Sequence, residues 1–91
     1  MNAKIRKQLI KLSAKLYDLT NEIEHIRIDV ECIQEEEQEK YDNMSEGWQE
    51  SERGCNMYEC IEMLEDIVNR LDYQVSELYD VSNDIDQVTE I

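Results

Sequence analysis

From Ile5 to Ile33 the chain reads IRKQLIKLSAKLYDLTNEIEHIRIDVECI, with apolar residues at Ile5, Leu9, Leu12, Leu16, Leu19, Ile23, Ile26, Val30 and Ile33. The steps alternate four and three without a break. A helix turns once every 3.6 residues, so this alternation draws one apolar seam along it, with Leu9, Leu16, Ile23 and Val30 at heptad position a and Leu12, Leu19, Ile26 and Ile33 at d. The second half of the chain repeats the pattern at Met57, Ile61, Leu64, Val68, Leu71, Val75, Leu78, Ser82 and Ile85, and Ser82 is its one polar member. Here Ile61, Val68 and Val75 take a, while Leu64, Leu71, Leu78 and Ile85 take d.

Between the seams lies Asp42 to Glu50, whose Asn43, Ser45 and Gly47 are turn formers. Ser45 suits the cap of a short turn carrying Trp48. Ser51 suits the cap of a second long helix, with Glu52 in the first turn where the helix dipole favours an acid. The chain has no Pro or Phe and only two Gly, so little in it breaks helices or favours strands. The 91 residues leave room for one domain. The sequence thus predicts an all-α fold: a single domain over 1–91, built as a long antiparallel two-helix coiled-coil hairpin with helices at about 3–42 and 52–89. Each helix would be about 60 Å long.

Folding back at Gly47 sets every a residue against a d residue, from Ile33 with Ile61 and Val30 with Leu64 through to Leu9 with Ile85. Only the Leu12–Ser82 layer is mixed. The same register brings Arg27 near Glu65 and Arg6 near Asp86. It also lays the basic N-terminal stretch (Lys4, Arg6, Lys7, Lys11, Lys15) beside Asp80, Asp84, Asp86 and Glu90. An amphipathic basic segment also suits an anionic membrane, but its heptads run unbroken into the rest of the first helix. Charge matching inside the hairpin is the simpler expectation.

Two packed helices hide only their seams. Apolar residues remain at Met63, Ile67, Val81 and Val88 beside Cys60 on the second helix, and at Ile10 and Tyr17 on the first. A stripe this wide exceeds the need of a two-stranded coil and points to an interface. Pairing of two hairpins into a four-helix homodimer is one use of it, and docking of a foreign protein is another. Trp48 at the bend reads either as a lid over the end of the coil or as a binding anchor, a role in which Trp is common.

Charge is the other strong signal. Against 9 Lys+Arg stand 23 Asp+Glu, a formal net charge of −14, and every acid lies beyond residue 17. Such a surface repels nucleic acid and attracts basic partners. Glu35, Glu36, Glu37 and Glu39 crowd the end of the first helix, and Glu59, Glu62, Glu65 and Asp66 the start of the second. Spread along the hairpin the carboxylates fall about every 2.6 Å at the helix rise, against one phosphate per ~1.7 Å of duplex DNA. Mimicry of nucleic acid toward a basic, nucleic-acid-binding protein is therefore one reading. A solvated acidic face is the other.

Catalytic chemistry finds little to stand on. His25 is the only histidine and sits at an outward heptad position. Cys55 and Cys60 are five apart and fall on different helix faces, unlike a zinc pair. No phosphate-cradling glycine loop or nucleophile motif occurs. An enzyme, a cofactor and a metal are all unexpected. Three cysteines without a disulfide spacing suit a reducing cytosol, and no apolar run approaches the ~18 residues of a membrane span.

The stretch from Glu35 to Gly54, EEEQEKYDNMSEGWQESERG, followed by acidic heptads, resembles a group of small proteins encoded by phages, prophages and mobile elements of Firmicutes. They share a Tyr-Asp-Asn-Met-Pro-Glu type bend and a Ser-Glu-Arg helix start between acidic helices. This chain departs from them in Ser45, where proline is usual, and in Trp48, where an aliphatic residue is. The resemblance implies a viral or mobile-element setting, in which small acidic proteins often inhibit host defence proteins, anti-CRISPR inhibitors among them. It transfers no functional residue. Two functions follow as expectations: an inhibitor that binds a host defence protein, and a structural module that dimerises to scaffold a complex.

Overall fold

The computed structural model describes residues 1–91 and contains three helices and no strand. α1 spans Ala3–Asp42, α2 is a single turn over Glu46–Gln49, and α3 spans Glu52–Glu90. Two compact units form: one joins Met1–His25 to Leu71–Ile91, and the other comprises Ile26–Arg70. Both long helices contribute to both units.

A side-chain oxygen caps each helix start. Asn2 accepts from the Ile5 amide at 2.9 Å, Ser45 from the Trp48 amide, and Ser51 from the Gly54 amide at 3.2 Å. These bonds satisfy amides that the first turn of a helix leaves without an intrahelical acceptor. The turn expected after Ser45 is thus present as α2, and α3 begins behind Ser51.

In the unit Ile26–Arg70 the chain reverses direction. The Gln49 side chain donates to the Tyr41 carbonyl at 2.8 Å, and the Tyr41 and Tyr58 rings meet tilted, 5.6 Å apart. Gly54 is buried beneath α2. A Cβ built there would stand 2.2 Å from the Trp48 carbonyl oxygen and 2.5 Å from that of Gln49, whereas nothing lies within 4 Å of one at Gly47. Neither glycine has a positive φ. The reversal therefore needs glycine for close backbone approach at Gly54, and the fold-back expected at Gly47 makes no such demand.

The α3 seam lies as its heptads predict. Ile61 and Val68 are buried in one unit and Val75 and Ser82 in the other. Met57, Leu64, Leu71, Leu78 and Ile85 flank them, half-buried.

α1 departs from its predicted register. In the unit of the chain ends its buried residues are Ser13 and Thr20, with Leu9, Leu16 and Ile23 half-buried. Leu12 and Leu19, expected in the core at d, are 57% and 48% exposed. In the other unit Ile26 and Ile33 are 55% and 51% exposed, while Arg27, Val30 and Gln34 are half-buried. The helix turns its a and e positions inward in place of a and d, a rotation of about 50°, half a residue's worth of helix. Small side chains at Ser13 and Thr20 permit a closer approach than leucine would. Their hydroxyls are also satisfied: Thr20 donates to the Leu16 carbonyl at 2.7 Å, and Ser13 donates to Asp86 at 2.6 Å while lying 3.2 Å from the Ser82 carbonyl oxygen. Ser82 therefore meets Ser13, and the expected Leu12–Ser82 layer does not form.

The flanking charges change with the rotation. Arg27 pairs with Glu31 of its own helix at 2.6 Å, and Arg6 buries its Nε without a hydrogen-bond partner. Lys4, Lys7, Lys11 and Lys15 are exposed and take no part in the ion pairs Arg27–Glu31, Lys40–Glu37 and Arg70–Asp66. The N-terminal lysines thus share a unit with the acids of residues 71–91 but form no ion pair with them. In the same unit the Tyr79 hydroxyl donates to Asn21, and its ring tilts against Tyr17 at 5.3 Å. Rising numbers on α1 thus face falling numbers on α3.

Candidate interaction surface

Glu59, Glu62, Met63, Asp66 and Ile67 recur three and four residues apart and so share one face of α3. Together with Arg70 they line an open groove of 320 Å³ in the unit Ile26–Arg70. Met63 is 59% exposed and Ile67 half-buried, so apolar surface runs between carboxylates. Asp66 pairs with Arg70 at 3.0 Å. The Tyr58 hydroxyl bonds Glu62, and this bond and the Glu62 charge raise the phenol above its ordinary pKa. Two residue sets chosen on separate grounds, one acidic and one apolar, thus meet in one place.

The other expected contact residues stand apart from this groove. Glu65 is exposed outside it. Glu35, Glu36 and Glu39 are exposed, and Glu37 holds Lys40 at 3.1 Å. Val81 and Val88 are exposed in the unit of the chain ends.

Trp48 is 58% exposed, so it does not fold down as a lid. It lines a 550 Å³ groove at the bend with Met44 and Met57, and Lys40 and Arg53 complete the lining beside Asn43 and Ser45. No carboxylate lines this groove, although the chain is strongly acidic. A third groove, of 390 Å³, runs along the first turns of α1 between Lys4, Lys7, Gln8 and Lys11.

Sequence reasoning missed the exposed α1 line of Leu12, Leu19, Ile26 and Ile33, which heptad counting assigns to the core. The available signal was the polar pair Ser13 and Thr20, seven residues apart and adjacent to d. It also passed over Lys40 and Arg53 around Trp48, because charge was counted along the chain and not around the bend.

Cys32, Cys55 and Cys60 are free, exposed thiols, and His25 is exposed. No three His, Cys, Asp or Glu side chains converge to hold a metal ion. No helix is long and apolar enough to cross a membrane. No family model matches the chain, and no curated protein or solved structure matches it.

Proposed function

We propose that this chain is a non-catalytic binding protein, an antiparallel helical hairpin whose α3 groove docks a basic protein surface. The convergence of Glu59, Glu62 and Asp66 with Met63 and Ile67 in one groove carries the reading. Apolar contact in such a groove supplies affinity, while the carboxylates steer and orient a cationic partner. The viral setting implied by the bend motif makes a host defence protein the partner, a nucleic-acid-binding nuclease inhibited in an anti-CRISPR-like manner. The test is inhibition of a basic nuclease at low and high salt. Glu59→Gln with Glu62→Gln is expected to weaken inhibition several-fold and to flatten its salt dependence. If both are unchanged while Ile67→Asp or Trp48→Ala abolishes inhibition, docking is apolar and charge mimicry is wrong.

A second reading is an assembly module that self-associates in the bacterial cytoplasm, and the exposed α1 residues favour it. Apolar side chains at heptad spacing on a helix already packed along another line are what a bundle helix offers a further neighbour. The reading predicts a homodimer, which Leu12→Asp with Leu19→Asp should split. Light scattering that gives the single-chain mass for the unaltered protein would exclude it.

A further inference from the structure

The first turns of α1 hold cations against each other. Lys7, Lys11 and Lys15 follow at i, i+4 spacing, Lys4 precedes them, and none joins an ion pair. Like charges at this spacing destabilise a helix. The N-terminal end of the dipole adds to the cost, because it favours acids and the first turn of α1 has none. No ion pair within the chain offsets this repulsion.

The chain carries a complementary surface. Lys4, Lys7 and Lys11 stand at i, i+3 and i+7 along the α1 groove. Glu59, Glu62 and Asp66 stand at i, i+3 and i+7 along the α3 groove. One trio is basic, the other acidic, and both are exposed. Ile5 and Leu12, exposed on α1 beside the lysines, offer apolar contact to match Met63 and Ile67.

We propose that the lysine groove of one copy docks on the acidic groove of a second copy, Lys4, Lys7 and Lys11 facing Glu59, Glu62 and Asp66. The proposal rests on the self-association reading and names its interface. It assigns the unmatched lysines a counter-charge and places apolar surface from both copies between the charges. It also makes the assembly salt-sensitive, since exposed pairs are screened.

Light scattering on the full chain at low and high salt tests it. The unaltered protein is expected at twice the chain mass or more at low salt, with loss of mass at high salt. Lys7→Glu with Lys11→Glu should give single chains, and so should Glu59→Lys with Glu62→Lys. Mixing the two variants should restore an equimolar complex, because each keeps the surface that matches the other. The Lys→Glu variant relieves repulsion and should keep its helix content, so circular dichroism separates dissociation from unfolding. Higher mass in both variants with no gain on mixing would leave self-association standing and overturn this interface. A single-chain mass for the unaltered protein would overturn both. Lysine-dependent binding to vesicles of anionic lipid by a protein that stays single-chain would assign the lysines to a membrane instead.

Discussion

The backbone of Gly54 lies so close beneath the Trp48 carbonyl that a Cβ there would stand 2.2 Å from its oxygen. A backbone oxygen held in a capped turn cannot swing aside as a side chain would. Gly54→Ala must therefore push α2 off α3, at a cost on the order of 1–3 kcal/mol by analogy with overpacking. Gly47, helical with open space around it, should behave in the opposite way. Gly47→Ala is expected to stabilise by roughly 0.5–1 kcal/mol through the lower backbone entropy of alanine in the unfolded chain. Thermal unfolding followed by circular dichroism should move in opposite directions for the two. A Gly54→Ala protein as stable as the parent would mean that α2 does not rest on α3.

Ser13 and Ser82 are buried together but are not equivalent. Ser13 donates to Asp86 at 2.6 Å, whereas the Ser82 hydroxyl is buried without a partner. Removing a hydroxyl that has a partner costs stability, about 1 kcal/mol for an ordinary bond and more for one to a charge. Removing one without a partner costs little. Ser13→Ala is thus expected to lower the urea midpoint, and Ser82→Ala to leave it unchanged or raise it. Equal losses for both would show that Ser82 has a partner after all.

These serines also mark where the sequence could and could not be read. Helix bounds follow from local signals: Ser45 and Ser51 cap where their position before an acidic turn predicts. The α3 seam follows as well, because Ile61, Val68 and Val75 lie buried on the heptad line that the half-buried Leu64, Leu71 and Leu78 flank. α1 carries more apolar residues than one partner helix can cover, so pattern alone leaves two ways to orient it. The choice falls to Ser13 and Thr20, whose value is small size and an internal hydrogen bond. That is a property of the gap between helices, and heptad counting scores both residues as polar and outward. Gly54 was illegible for the same reason, since its neighbour across the gap is the α2 backbone. Within the candidate surface, the acidic and apolar residues of the α3 groove were legible because they share one helix. The cations around Trp48 come from different segments and only the bend collects them.

Tyr79 gives the fold a pH limit at the alkaline end. Burial first, then Tyr17 and the Glu24 charge, raise its phenol above the ordinary value. A raised folded-state pKa means that the folded chain keeps its proton where the unfolded chain, titrating near ~10, has lost it. Stability from this group is complete below that pH and is lost as pH rises through the folded value. Tyr58, raised chiefly by its bond to Glu62 and by that residue's charge, acts in the same sense. The urea midpoint should therefore fall above about pH 10 less steeply for Tyr79→Phe than for the parent. Tyrosinate absorbance should show the late-titrating group lost in that variant. An identical pH profile for the two proteins would contradict a raised Tyr79 pKa.

Trp48 contributes to the fold through its backbone, while the proposed part in recognition falls to its ring. The carbonyl rests on Gly54, while the indole is 58% exposed in the groove with Met44, Met57, Lys40 and Arg53. Surface truncations away from packing change stability by about 0.5 kcal/mol or less, and Trp48→Ala leaves the carbonyl in place. Its unfolding midpoint should therefore match the parent's within that margin. As the only tryptophan, the residue also reports on itself: its emission should be that of a hydrated indole, open to quenching by iodide. Binding of a partner at the bend should shift the emission to the blue and protect it from the quencher. Binding confined to the α3 groove should leave both unchanged, so a single fluorescence titration separates the two surfaces. A large stability loss on Trp48→Ala would instead return the ring to the fold and remove it as a binding anchor.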